Sequence, residues 1–521
     1  MRDPLGARAA ATPDETALVD ASTDERWTFA AFDDAVDRTA GRLAALGLGP
    51  GDHLALVSPP RPAAVRVVHA ALRLGCVLVP LSHELTAAEL APRLDGAAVT
   101  TVVCGRTTED QVTAATSRPV VTVDEAATAT ARSISDGDPV GPPVHDWTPS
   151  DPVLIAHTSG TTGEPKRVVL TATNLLASAL ASAARLGLSP DDRWLVTLPL
   201  HHVGGLSPVL RMPLYGSTVV LRRGFEPGRC VDDADDYDAT RISVVPTMLR
   251  RMLDRRGTLP GRLRTVLLGG APAPVDLVER CRNYSVPVAP TYGLTETASQ
   301  VATAAVGEAR ADPTTVGRPV LFADVTVVDE DGDPVRRGET GEIVVDGPLV
   351  SPRYHDDPET TAASRGPHGF HTGDAGYRDE AGRLFVHNRL DDRILTGGEL
   401  VDPGEVAEAL RSHPGVVDAA VAGLPDEEWG ERVAALVAGD AAASALETHL
   451  DERLAGFKLP RVIGLVDDLP RTDSGTVDRT ALRERLRTVR ADPGPDETND
   501  RTGTGEHGED EAGRDGGDAA E

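Results

Sequence analysis

The chain predicts an α/β protein with a large N-terminal domain of βαβ-type subdomains plus a β-rich lobe, followed by a small mobile α+β C-terminal domain. Three observations carry this expectation. Up to Asp324, short apolar runs alternate with helical patterns, the rhythm of buried and largely parallel sheets. From there the pattern becomes alternating strands around the Asp331-Gly332 turn signal. It changes again near Asp391, where a strand, the Gly397-Gly398 pair and a newly capped helix follow.

The elements read in order as follows. Residues 29–46 have the periodicity of an amphipathic helix, and CVLVPL at 76–81 reads as a buried strand. The segment SISDGDPVGPPVHDWTPSD at 133–151 is rich in Pro, Gly and Asp and predicts a surface linker. Two strand-like runs, PVLIA at 152–156 and VVL at 168–170, flank the loop TSGTTGEPK at 158–166. A second unit holds the runs VTLPL (196–200), STVVL (217–221), RISVVP (241–246), RTVLLGG (264–270) and VPVAP (286–290), separated by helical segments such as VDLVERCRN (275–283). Ligands on such sheets sit at the carboxyl ends of strands. The helix beyond Asp391 is announced by Asp402 as N-cap, Pro403 in the first turn and Glu405 at the capping-box position. The expected division is an N-terminal domain over 1–389, a C-terminal domain over 390–490 and a disordered acidic, Gly-rich tail over 491–521.

A formal charge of −29 from 81 acidic residues argues against nucleic acid and anionic membrane as partners. Acid enrichment, two lysines and 3% aromatics resemble proteins of salt-adapted microbes such as halophilic archaea, the alternative being a merely acidic mesophile protein. At molar salt the screening length falls to about 3 Å, which quenches such self-repulsion. The four cysteines form no CxxC pair, so neither a disulfide framework nor a zinc site is expected. The N-terminus carries acids and no long apolar run, and no stretch approaches the ~20 apolar residues of a membrane span. A cytoplasmic protein without stable membrane insertion is expected, with a homo-oligomer left open.

The loop at 158–166 is the most informative stretch. Gly160 and Gly163 allow close backbone approach to an anion, and Thr158, Ser159, Thr161 and Thr162 supply hydroxyl donors. Lys166 is one of the two lysines among 52 basic residues, so an ammonium is kept where arginine fills nearly every other position. Such a loop suits a nucleotide triphosphate. It is no Walker A loop, because the two glycines are three apart and Pro165 precedes the lysine. The competing reading is an ordinary flexible turn, against which the two flanking strands argue.

Four further segments join it: TYGLTET (291–297), HTGD (371–374), NRLDDRILTGGE (388–399) and PRTDSGTVDR (470–479). In this order they resemble the adenylate-forming superfamily of acyl-CoA synthetases, luciferases and adenylation domains, over roughly residues 10–487. Within it the chain is most similar to the o-succinylbenzoate:CoA ligases of menaquinone synthesis, a likeness carried by residues 192–221, LLGGAPAP (267–274) and TYGLTETASQVAT (291–303).

The resemblance implies an ATP-, Mg²⁺- and CoA-using acid–thiol ligase for a small aromatic dicarboxylate. Residues 158–166 would order the β- and γ-phosphates, Thr295 would touch the α-phosphate and Glu296 would help to hold Mg²⁺. Gly270, Ala271 and Pro272 would line the adenine slot with Tyr292 against the ring. Asp374 and Arg389 would hold the ribose hydroxyls, and Asp391 would be the hinge of the small domain. Arg211 would pair with the non-reacting carboxylate, with His202 near the reacting end and Ser299 and Gln300 on the pocket wall. The plainer alternatives are a surface arginine at 211 and a satisfied core histidine at 202. A ligase for another aromatic or fatty acid, or a non-catalytic nucleotide-binding paralogue, are the competing functions.

Two positions depart from the superfamily pattern. Arg167 stands where a glycine usually follows the loop lysine. Thr476 stands where the pattern P-R-T-x-S-G-K-x-x-R has the lysine that bridges substrate carboxylate and α-phosphate during adenylation. Arg479 and Lys458 are the cations that could substitute.

Overall fold

In the computed structural model, residues 3–158, 165–426, 429–472 and 475–491 are described. The expected βαβ rhythm resolves into two large sheets. One has eight strands, in the spatial order Arg353–Tyr354, Lys166–Thr171, Pro152–Thr158, Val77–Leu81, His53–Val57, Thr101–Cys104, Val120–Thr122 and Ala131–Ser133. The other has nine, and its centre is parallel from Thr16–Asp20 through Thr218–Leu221, Arg193–Val196, Arg241–Val244 and Thr265–Leu268 to Val288–Tyr292. The residues of these central strands are mostly buried, with Val, Leu, Ile and Ala the commonest among them, as sheets covered on both faces require.

The amphipathic helix forms as Phe29–Ala45, capped by the Thr28 hydroxyl and burying Phe29, Phe32, Val36 and Leu43. The helix Val275–Asn283 coincides with the segment expected. One strand expectation shifts: VTLPL leaves the sheet after Val196, because Pro199 has no N–H to give a ladder and a helix follows at Val203–Tyr215. The segment at 133–151 is largely exposed, yet it is strapped down rather than free. Val140 N–H bonds to the Gly41 carbonyl and His145 N–H to the Arg73 carbonyl, and the buried Trp147 indole bonds to the Leu72 carbonyl at 3.0 Å. Gly41 has no side chain because one there would meet the Val140 oxygen at 2.2 Å.

The β-rich lobe is a five-stranded sheet containing Asp324–Val328, Gly341–Asp346, Gly369–Arg378, Arg365–Gly366 and Leu384–Arg389. Beyond it, the smaller C-terminal unit is a second five-stranded sheet, built around the long hairpin Val416–Asp426 and Gly430–Gly439. Its first helix, Pro403–Arg411, is capped by the Asp402 carboxylate, which accepts from Gly404 N–H at 2.7 Å. Glu405 departs from the capping-box expectation, because its carboxylate turns outward to Lys458 Nζ at 2.7 Å. The last helix, Arg479–Ala491, reaches one residue into the segment read as tail, and 492–521 lie outside the described residues. All four cysteines are free and buried, with burial pushing their thiols up to between about 11 and about 12.

Candidate active site

The two strands predicted around the loop form an antiparallel pair in which Thr158 stands opposite Lys166. Ser159, Gly160, Thr161, Thr162 and Gly163 lie outside the described residues. Lys166 extends over the ring of Tyr354, with Nζ 5.3 Å from its centroid, a cation–π approach. The phenol of Tyr354 donates to Glu296 Oε1 at 3.0 Å. Tyr354 therefore joins the loop lysine to the predicted metal ligand, a link with no motif in the sequence to announce it.

Glu296 lies in the turn Thr295–Thr297, pinned at Leu294 by the Thr297 hydroxyl, which accepts from its N–H at 3.1 Å and donates to its carbonyl at 3.0 Å. The carboxylate is 9% exposed and makes no ion pair among the described residues. It borders a cavity of about 10 Å³, room for roughly one water, together with Ser351, Arg353, Tyr354, Arg365 and Phe370. A buried carboxylate held by a neutral phenol, and without an ion pair among the described residues, fits a hard divalent ion, whose other ligands come from phosphates and water.

The residues expected to hold the nucleotide gather near the ends of neighbouring strands. Gly270, with φ +77°, follows Thr265–Leu268 and opens the loop to Ala271 and Pro272. The loop lies against the next strand, since a side chain at Gly269 would meet the Thr291 methyl at 2.7 Å. One residue on, Tyr292 donates to Asp374 Oδ2 at 2.6 Å. Burial raises the Asp374 carboxyl above its ordinary range, opposed by the Tyr292 hydrogen bond and the Arg389 charge. Arg389 Nε lies 3.8 Å from Asp374 Oδ1, and its Nη2 donates to the Thr372 carbonyl at 3.2 Å. Tyr292, Asp374 and Arg389 thus lie together.

Of the residues expected on the acyl side, Ser299 and Gln300 follow Ala298 directly and Arg211 is tied to the Ala298 carbonyl through the Ser178 hydroxyl. Arg211, on the helix Val203–Tyr215, is only 7% exposed, and burial lowers the guanidinium's affinity for its proton. Its Nη2 donates to the Ser178 hydroxyl at 2.7 Å, and among the described residues it has no carboxylate partner. This is not a surface arginine. Ser299 adopts φ 141° directly after Ala298 at φ 55°. Gln300 is buried and its amide donates to the Thr303 hydroxyl at 2.7 Å, so its nitrogen is tied to the strand rather than free for substrate. His202 precedes the Arg211 helix, its ring 4.2 Å from that of His201. Burial, with help from His202 and His83, depresses the His201 imidazole to about 3 and keeps it neutral.

Both departures have definite surroundings. Arg167 runs away from the loop toward the end of the helix Ala87–Gly96, where a side chain at Gly96 would meet its Nη1 at 2.6 Å. That C-terminus favours a cation. Thr476 closes a turn with Thr472, the hydroxyls 2.7 Å apart. The neighbouring Gly475 faces the N-terminal domain, since a side chain there would meet Val245 Cγ2 at 2.7 Å. Of the candidate substitute cations, Lys458 is paired with Glu405 and Arg479 with Asp392. The Asp391 side chain lies outside the described residues, and its backbone is part of the turn Leu390–Asp392.

Comparison with known proteins gives the same outline. Residues 5–355 match the AMP-binding enzyme family and residues 405–476 the AMP-binding enzyme C-terminal domain. The chain is 36% identical over 480 residues to a 2-succinylbenzoate–CoA ligase of Bacillus licheniformis, covering 92% of this chain and 98% of that one. It is 35% identical to the corresponding ligase of Listeria monocytogenes, covering 93% and 99%. Among solved structures, it is similar to an o-succinylbenzoate CoA synthetase from Bacillus subtilis in complex with its acyl-adenylate intermediate, with TM-score 0.86, 33% identity and coverage of 93% and 98%. The chain belongs to the AMP-binding enzyme family.

Proposed function

We propose that this protein is an AMP-forming acid–thiol ligase that adenylates 2-succinylbenzoate and transfers the acyl group to CoA, giving 2-succinylbenzoyl-CoA, AMP and diphosphate in menaquinone biosynthesis. Its near relatives carry that name, and ATP with magnesium is bound in one solved relative. The observation that carries the substrate is Arg211. A buried guanidinium answered, among the described residues, by a serine hydroxyl and no carboxylate is costly unless an anion completes it. A monocarboxylate would be consumed at the reacting end and leave it uncompensated; an aromatic dicarboxylate brings a second anion.

In the first half-reaction a carboxylate oxygen attacks the α-phosphorus of ATP and diphosphate leaves; in the second the CoA thiol attacks the acyl carbon and AMP leaves. Both need charge stabilisation and positioning more than an enzyme nucleophile. Lys166 and Thr295 hold phosphate oxygens, Asp374 and Arg389 hold the ribose, and the 270–272 loop with Tyr292 holds the adenine. When bound, Mg²⁺ neutralises phosphate charge, and Glu296 is the protein ligand placed for it. Residues 1–389 form the ATP- and acid-binding domain, and 390–490 turn about Asp391 between the two half-reactions. The −29 charge supports work in a saline cytoplasm.

The test is diphosphate release and thioester formation at high KCl with 2-succinylbenzoate beside its two monocarboxylic analogues and a fatty acid. Preference for a monocarboxylate would overturn the substrate.

A further inference from the structure

Ser178 sits on the helix Ala172–Leu186, 3% exposed, and is not part of any motif that marked the site. Its hydroxyl makes two hydrogen bonds with opposite roles. It accepts from Arg211 Nη2 at 2.7 Å and donates to the carbonyl of Ala298 at 3.0 Å. A serine hydroxyl has one proton and two lone pairs, so donating to a carbonyl leaves its acceptor side available to a cation.

Ala298 is an unusual receiver. It follows directly on the turn that carries Thr295 and Glu296, and it and Ser299 both have positive φ, at 55° and 141°. Non-glycine residues occupy those regions only where the surroundings hold them. The chain is doubled tightly here, since a side chain at Gly293 would stand 1.7 Å from the Ser299 oxygen. Ser178 thus touches both the guanidinium of the acyl pocket and the strained backbone behind the phosphate-side turn.

We infer that Ser178 is a positioning residue for substrate selection: its hydroxyl fixes the Arg211 guanidinium relative to the Thr295–Glu296 turn, and so sets the spacing between the anchored carboxylate and the one to be adenylated. The inference rests on the proposed role of Arg211. Without the hydroxyl, the guanidinium and the Ala298 carbonyl both lose a buried partner, and the two ends of the substrate site are no longer held to one another.

The experiment compares wild type, Ser178→Ala, Ser178→Thr and Arg211→Ala. The readout is the ratio of kcat/KM for 2-succinylbenzoate to that for its monocarboxylic analogues. Ser178→Ala is expected to lower the ratio about tenfold, through KM for the dicarboxylate, and Ser178→Thr to restore most of it by keeping the hydroxyl. Should Ser178→Ala fail to fold, Ser178→Cys, of similar size with a weak donor and acceptor, carries the same comparison. An unchanged ratio in the alanine or cysteine variant, or a folded threonine variant as poor as alanine, overturns the inference. The two failures separate cleanly. If Arg211→Ala lowers the ratio while Ser178→Ala does not, only the Ser178 inference falls; if Arg211→Ala leaves the ratio unchanged, the reading of the pocket falls with it.

Discussion

The phenol of Tyr292 donates a 2.6 Å hydrogen bond to Asp374, joining the end of a strand of the nine-stranded sheet to a strand of the β-rich lobe. Burial raises both groups above their ordinary ranges. Asp374 is therefore a carboxylate held in an environment that disfavours its charge. With the folded value raised, the folded state binds more protons than the unfolded one as pH rises from the ordinary value of 3.8, so stability falls through that window. Asp374→Asn keeps an acceptor for Tyr292 and removes the charge. The variant should have a higher Tm than wild type at neutral pH, with the difference closing below pH 3.8, and, if Asp374 holds the ribose, its KM for ATP should rise ~10- to 100-fold for the lost charged hydrogen bonds. Thermal melts across pH, with ATP titrations, check both halves.

Lys166→Ala removes the ammonium that lies over Tyr354. If it acts as a preorganised charge donor to the triphosphate, diphosphate release at saturating acid should fall by ~10² or more. An unchanged rate would reduce the Gly-rich loop to a structural turn.

If Arg211 pairs with the second carboxylate of the substrate, Arg211→Ala leaves that carboxylate without its cation, at a cost of ~2 to 5 kcal/mol in binding. The apparent KM for 2-succinylbenzoate should rise far more than that for a monocarboxylic analogue. Steady-state kinetics on both acids measure this, and equal effects would return Arg211 to a packing role.

At Thr476 the chain lacks the usual adenylation lysine, and Lys458 and Arg479 are each held in an ion pair. Thr476→Lys should accelerate diphosphate release severalfold while leaving thioester formation from supplied acyl-AMP nearly unchanged, because Gly475 presents this turn to Val245 in the orientation seen here. No gain on adding the lysine, together with loss of adenylation in Arg479→Ala, would mean that Arg479 serves despite its pairing with Asp392.

How much was legible follows from what each signal depends on. The alternation of strands with helices, the helix at Phe29–Ala45, the cap at Asp402 and the nucleotide motifs are local: periodicity, cap chemistry and turn residues act over a few positions, so the sequence by itself determined them. The motif residues Tyr292, Asp374 and Arg389 could also be named in advance, though not that the first would bond to the second. Contacts between distant segments were decided only by the tertiary structure. Tyr354 linking Lys166 to Glu296, Ser178 joining Arg211 to Ala298 and Glu405 leaving its cap for Lys458 each pair residues whose local patterns carry no mark of the partner. The same holds for Arg211 itself. Its charge is visible in the chain, but its isolation from every described carboxylate arises from the packing of two helices, and desolvation is a property of the fold rather than of the residue.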